Sequence, residues 1–273
     1  MWRIEYAPMK VGACSFDVRA GEPEHNLALA ETALVQAAAS GVELALLPEM
    51  WPTSFPAGAL AADEQQRWLD ASEHCVERVR ALSRELDIAI AGSAYGRASA
   101  GLPRNRLQLF AAGRELLRYD KLHLFSPTAE PAQFSAGSEP PPVVEWRGVR
   151  IGGVVCYDLR FGELFVGLHE QRVELLLVPA QWPVARERHW LALLGGRAVE
   201  AQAFVLACNR CGSATFGRRG ETLEFSGNSL IHAPDGERLA AGTPRGGCVS
   251  AEIDVEVARE VRRRVPVERD RRR

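Results

Sequence analysis

Several features are missing from this chain of 273 residues, and each absence narrows the reading. No apolar run reaches the length of a membrane span, and the opening Met1-Trp2-Arg3-Ile4-Glu5 leads into none of signal-peptide length. The expectation is a cytoplasmic protein in a reducing compartment, with no membrane partner. Cysteine is sparse: six residues without dense, regular spacing do not make a disulfide framework. Cys208-Asn209-Arg210-Cys211 has the C-x-x-C form, but no second such pair completes a zinc site. Residues three apart on a strand also face opposite ways, so these two read as ordinary core or strand cysteines. The six histidines are scattered with no pair at ligand spacing, and no metal or cofactor is expected. Net charge is nearly absent, 33 basic against 35 acidic residues, which gives no global attraction to nucleic acid. Arg262-Arg263-Arg264 and Arg271-Arg272-Arg273 form a basic tail from about residue 262. Without interleaved aromatics it reads as a solvated tail or subunit contact. No Gly/Ser-rich linker divides the chain, and Glu139-Pro140-Pro141-Pro142 is too short to do so. Residues 1–273 therefore read as one α/β domain.

What is present is a regular alternation. Strands are expected at Lys10–Phe16, Val42–Leu47, Ile88–Tyr95, Arg104–Phe110, Val149–Cys156, Glu174–Val178 and Phe204–Cys208. Helices are expected at Pro23–Ser40, stopped by Gly41, and at Asp63–Asp87, where Trp68, Leu69, Val76, Val79 and Leu82 keep close to helical spacing. Glu163–Glu170 and Arg186–Gln202 read as further helices, the latter despite Gly195 and Gly196 in its interior. Ser229–Ala233 and Cys248–Ile253 look like a closing pair of strands, and Asp254 like the N-cap of a last helix to Arg264. Mixed crossovers and hairpins imply two mixed sheets packed together and covered by helices.

Three strand-end sites carry reactive residues. Glu49 follows Leu44-Ala45-Leu46-Leu47-Pro48, Lys121 follows Leu116-Leu117-Arg118-Tyr119-Asp120, and Cys156 follows Gly152-Gly153-Val154-Val155. A thiol at the last position of an apolar run is held at an elbow, out of the core. Brought together at the ends of adjacent strands, the three would make an acyl-transfer set. The carboxylate takes the thiol proton, the thiolate attacks a carbonyl, and the ammonium stabilises the oxyanion.

With these residues the chain resembles the nitrilase superfamily of carbon–nitrogen hydrolases. The matching blocks are Leu47-Pro48-Glu49-Met50, Tyr119-Asp120-Lys121-Leu122-His123-Leu124-Phe125 and Cys156-Tyr157-Asp158-Leu159-Arg160-Phe161. Gln181-Trp182-Pro183, His189-Trp190, Arg197-Ala198-Val199-Glu200 and Ser226-Gly227-Asn228-Ser229 continue the match in the family's order. The resemblance implies an αββα four-layer sandwich, a homodimer, and Glu49, Lys121 and Cys156 as the catalytic set without a cofactor. It also implies a second glutamate, Glu130, holding Lys121 and positioning substrate or water.

Tyr157-Asp158-Leu159-Arg160-Phe161 after the cysteine is similar to the small-amidase branches. The Lys121 block, the Gln181 block and Val265-Pro266-Val267-Glu268-Arg269-Asp270 most resemble bacterial omega-amidases. The implied substrate is a small-molecule amide, the terminal amide of a dicarboxylic acid monoamide such as 2-oxoglutaramate, 2-oxosuccinamate or succinamate. A related amidase for deaminated glutathione or N-carbamoyl compounds, or a non-catalytic interaction member, are the alternatives. A substrate with a remote carboxylate calls for a cation. Arg160 is one candidate, its alternative reading being a salt bridge that fixes the elbow; Arg186, Arg188 and His189 are weaker ones. The backbone N–H of Tyr157 is a candidate second oxyanion donor. His123 reads as a hydrogen-bonding wall residue, Glu200 as a structural helix contact, and Asp158 as an acceptor at the elbow.

Overall fold

A computed structural model describes residues 8–128, 130–216 and 220–272. In chain order its elements are β1 (Met9–Ser15), α1 (Pro23–Ala39), β2 (Leu44–Leu46), α2 (Ala62–Glu85), β3 (Ala89–Gly96), β4 (Arg104–Ala111), β5 (Arg114–Asp120) and α3 (Glu130–Gln133). The second half adds β6 (Val143–Trp146), β7 (Val149–Gly153), α4 (Gly162–Glu170), β8 (Leu175–Ala180), α5 (Glu187–Ala201), β9 (Phe204–Asn209), β10 (Cys211–Phe216), β11 (Glu221–Ser226), β12 (Leu230–His232), β13 (Arg238–Ala241), β14 (Gly247–Ile253), α6 (Val255–Arg264) and α7 (Val267–Asp270).

Two six-stranded sheets result, ordered β14-β1-β2-β3-β4-β5 and β13-β12-β9-β8-β7-β6, with β10 and β11 forming a separate hairpin. Each is mixed: β1, β2 and β3 run parallel in the first and β7, β8 and β9 in the second, with antiparallel strands outside them. The side-chain alternation of β1 explains the layering. Met9, Val11 and Ala13 enter the core shared with the second sheet, whereas Cys14 faces α1 and α2. On α2, Leu69, Ser72, Cys75, Val79 and Leu82 recur every three or four residues and form its buried face. Trp190, Leu194 and Ala198 do the same for α5 on the far side of the second sheet. The order helix–sheet–sheet–helix is the αββα sandwich expected.

Three local expectations are corrected. The strand leading to the nucleophile stops at Gly153, and Cys156 instead opens a tight 3-10 turn, Cys156–Arg160, with φ of 45°. The segments Ser229–Ala233 and Cys248–Ile253 do not pair with each other: β12 joins β9 and β13 in the second sheet, while β14 joins β1 in the first. Arg262 lies in the last helix as expected, but it is not part of a solvated tail: from the last turn of α6 it donates to the carbonyls of Arg172, Val173 and Ala201. Its charge therefore sits where α4 and α5 end, the favourable position for a cation near helix carbonyl ends. Arg263 and Arg264 pair with Glu260, and Arg273 lies outside the described residues. Asp254 caps α6 as read, accepting the Glu256 N–H at 2.9 Å. The α5 helix runs through Gly195 and Gly196 unbroken. Among the described residues no helix is long and apolar enough to cross a membrane.

Candidate active site

Glu49, Lys121 and Cys156 each follow the end of a strand, but not of adjacent strands. β2 and β5 are separated by β3 and β4 in the first sheet, and β7 belongs to the second. The three side chains meet at the edge of the gap between the sheets, and all are buried. The turn that carries Glu49 is pressed onto β3 at Gly92, where an added Cβ would lie 2.9 Å from both Leu47 Cβ and Trp51 Cδ1. Only glycine permits that approach.

Lys121 is the centre of the arrangement. Its Nζ donates to Glu49 Oε1 at 2.9 Å and to Glu130 at 2.8 Å (Oε1) and 3.0 Å (Oε2). Burial alone would drive the ammonium to lose its proton, but Glu130 and Glu49 outweigh it and hold the lysine well above its ordinary value. The two ends of this network are unequal, because one cation serves two anions. Burial and the Glu49 charge push the Glu130 carboxyl up despite the opposing pull of Lys121. Burial likewise raises the Cys156 thiol well above the usual range, reinforced by the neighbouring Glu49 and opposed by Lys121. At rest the sulfur is therefore a thiol beside a carboxylate, and a nucleophile there requires the carboxylate as proton acceptor.

Each oxygen of Glu49 has assigned partners. Oε1 accepts from Lys121 and from Asn105 Nδ2 at 2.8 Å, and Oε2 from the Gln181 N–H at 3.0 Å. The Gln181 side chain returns to the Glu49 carbonyl at 2.9 Å. Asn105 also donates to Glu130 Oε1 at 3.3 Å, and the Phe125 N–H donates to Glu130 Oε2 at 2.6 Å. Behind Gln181 the fully buried Arg210 donates to its Oε1 and to Asp17, with Ser54 beside them.

The turn at Cys156 is fixed from both sides. Asp158, fully buried, accepts from the Val155 N–H (3.2 Å), Tyr119 Oη (2.9 Å) and the His123 N–H (2.9 Å), and its Oδ1 lies 2.9 Å from His123 Nδ1. His123 in turn stacks on Phe161 at 3.6 Å; it is hydrogen-bonded as expected but is not one of the residues that line the pocket above the thiol. Arg197 donates to the Leu159 carbonyl and pairs with Glu200, the helix contact expected of that glutamate. The salt bridge considered for Arg160 is not formed among the described residues; Arg197 and Asp158 fix the elbow instead. Arg160 lies over the Trp182 ring (4.7 Å) and donates to His189 Nδ1 (3.1 Å).

Sequence reasoning missed Asn105, Gln181 as a partner of Glu49, Arg197 as the elbow clamp, and Arg210. The block Gln181-Trp182-Pro183 carried a signal for the second; Asn105 carried none beyond a polar residue in a strand. All six cysteines are free, and among the described residues no group of three His, Cys, Asp or Glu is placed to hold a metal.

A small pocket of about 50 Å³ opens above the thiol. Phe55, Phe125, Tyr157, Trp182 and Phe225 supply aromatic walls, with Arg160 and Arg186 at its sides and Glu49, Lys121, Glu130 and Cys156 at its base. A buried thiol, a base, a fixed cation and a water-limiting aromatic mouth can carry out acyl transfer from an amide.

Residues 10–263 match the carbon–nitrogen hydrolase family. The chain belongs to that family. It is 34% identical over 265 residues to a 2-oxoglutaramate amidase of Bacillus subtilis, covering 94% of this chain and 95% of the relative. It is 37% identical over 229 residues to the omega-amidase YafV of Yersinia enterocolitica, covering 84% of each. Among solved structures, it is similar to XC1258 of Xanthomonas campestris, a CN-hydrolase superfamily protein with an arsenic adduct in its active site. The TM-score is 0.84 at 28% identity, over 98% of both chains.

Proposed function

We propose that this protein hydrolyses the terminal amide of dicarboxylic acid monoamides to the acid and ammonia through a cysteine thioester. The observation that carries the reading is the Lys121 ammonium bridging Glu49 and Glu130 at the base of the pocket that Cys156 enters. Glu49 takes the Cys156 proton as the sulfur attacks the amide carbon, and Lys121 stabilises the tetrahedral oxyanion, with the Tyr157 N–H as second donor. Glu49 then returns the proton to the departing nitrogen, which leaves as ammonia. It next accepts a proton from water as that water attacks the thioester, and the acid departs with the thiol restored. Glu130 keeps Lys121 charged and in place.

The carboxylate-ended substrate class is supported by Arg160 at the pocket side and by relatives named 2-oxoglutaramate amidase and omega-amidase. No cofactor enters these steps. A homodimer is part of the same reading, supported by Val199, Val265 and Val267, which are 52%, 56% and 43% exposed. Sedimentation equilibrium tests it. A cytoplasmic location accords with six free thiols and is tested by cell fractionation.

The deciding experiment is ammonia release from succinamate, 2-oxosuccinamate, 2-oxoglutaramate, deaminated glutathione, an N-carbamoyl amino acid and a simple nitrile, with Cys156→Ala beside the parent. Turnover concentrated on the first three, and absent in the variant, is expected. Turnover only on the others would keep the thioester chemistry and reject the substrate class. Silence on all would favour a non-catalytic role.

A further inference from the structure

The walls of the pocket form a closed circuit of side chains with two guanidinium groups set into it. Arg186 lies over the Phe125 ring at 5.5 Å, and Phe125 meets Tyr157 edge to face at 4.9 Å. Arg160 lies 5.9 Å from Tyr157 and 4.7 Å from Trp182, whose indole Nε1 donates to the Arg186 carbonyl at 2.8 Å. The circuit thus returns to Arg186. Its backbone is held at the start of α5 by Trp182, and its guanidinium by stacking on Phe125.

The charges are unbalanced in one direction. Neither Arg160 nor Arg186 has a carboxylate partner among the described residues, whereas most arginines elsewhere on the chain do. Glu187, next to Arg186 in sequence, accepts from Asn228 at 3.3 Å. One carboxylate of a substrate satisfies one guanidinium fork. A second fork on the same small, aromatic-walled pocket is left with planar donors that one carboxylate does not use.

We propose that Arg186 is a specificity-determining residue that reads a second acceptor beside the substrate carboxylate, the 2-oxo oxygen of a 2-oxo acid monoamide. This deepens the amidase reading above and rests on it. Arg160 grips the carboxylate and Arg186 approaches the same planar oxo-carboxylate end from the Phe125 side. A simple dicarboxylic monoamide meets only the first. The protein is then an amidase selective for 2-oxo acids over acids of the same length that lack the oxo group.

Comparing 2-oxosuccinamate with succinamate tests this, since the two differ only at that oxygen. In Arg186→Met, which keeps the stem and loses the fork, the ratio of kcat/KM for the oxo substrate over succinamate should fall at least tenfold. The change should fall mainly on KM. Arg186→Lys should give an intermediate ratio, because a point charge replaces a planar fork. Arg160→Met should weaken both substrates together and leave the ratio within about twofold, as a residue acting on a shared carboxylate does. A ratio in Arg186→Met or Arg186→Lys equal to that of the parent overturns the inference while the amidase reading stands. A parent that turns over only amides without a carboxylate overturns both. Circular dichroism on each variant separates lost folding from lost recognition. Should Arg186→Met not fold, the ratio in Arg186→Lys alone decides.

Discussion

Asn105 Nδ2 stands 2.8 Å from Glu49 Oε1, so an amide from the start of β4 donates to the carboxylate proposed as the base. The same nitrogen reaches Glu130, and the same glutamate oxygens accept from Lys121. Asn105 therefore bridges Glu49 and Glu130 and fixes their spacing. Asn105→Ala should lower kcat about tenfold or more with KM little changed, and cost about 1–3 kcal/mol of stability from the acceptors left unmatched. Steady-state kinetics and urea denaturation on the one variant check both. Glu49→Gln should be far more severe, about 10²–10⁴-fold in kcat, as loss of a general base predicts.

Lys121→Met would leave two buried carboxylates facing each other. A loss of about 3–5 kcal/mol in urea denaturation is expected, the usual result of removing one partner from a buried ion pair. The pH dependence has a definite sign. The folded-state value of Lys121 is raised by Glu130 and Glu49 over the opposing effect of burial, so its contribution is complete below about pH 10. That contribution fades only as alkaline pH passes the folded value. The parent should lose stability at high pH more steeply than Lys121→Met.

The Asp158 carboxylate closes the Cys156 turn on the Val155 N–H and joins it to both sides of Lys121 through Tyr119 and His123. Asp158→Asn sets an amide against at least one of those donors and should destabilise the fold by about 1–3 kcal/mol. Because the sulfur and the ammonium are then no longer held in one frame, kcat should fall more than KM changes. Tyr119→Phe removes one contact only and should show a smaller loss of the same kind.

Burial and the Glu49 charge hold the Cys156 thiol high, so its reaction with iodoacetamide should quicken continuously through about pH 9 rather than level off near the ordinary thiol range. Peptide mass spectrometry across pH resolves it from the other thiols. A plateau below about pH 8 would mean a standing thiolate and would remove the need for Glu49 as acceptor. Cys248, half-buried and lowered by a hydrogen bond from Cys14, should label before its buried partner.

Much of this was legible in the sequence because it is local. Glu49 and Cys156 each end an apolar run and Lys121 sits at a strand end, so a few residues expose them, while Glu130 followed only from the family resemblance. Asn105 was not legible. In Arg104-Asn105-Arg106-Leu107 it looks like one more polar residue of an edge strand, and its role exists only once Glu49, 56 positions away, arrives beside it. The same holds for β14, whose strand character was plain while its partner was misassigned. Alternation identifies a strand, but which strand lies next to it is decided by the whole sheet. The early end of the strand before Cys156 was hidden too, since Val154 and Val155 favour extended structure and the turn is fixed by hydrogen bonds of Asp158 and the distant Arg197.

The pairing of β1 with β14, in register from Met9 to Ser15 against Ile253 to Gly247, has a consequence for how the molecule comes into being. On the ribosome the first sheet has five of its strands by residue 120 but lacks its border strand until residue 253 emerges. Until then β1 is an open edge, and for much of that interval, before the strands up to β13 at residue 241 have emerged, the surface meant for the second sheet is incompletely covered. Such wide sequence separation slows folding and lengthens exposure to aggregation. Nascent chains released before residue 253 should therefore depend on chaperones, and the thiol should meet its base only late in synthesis.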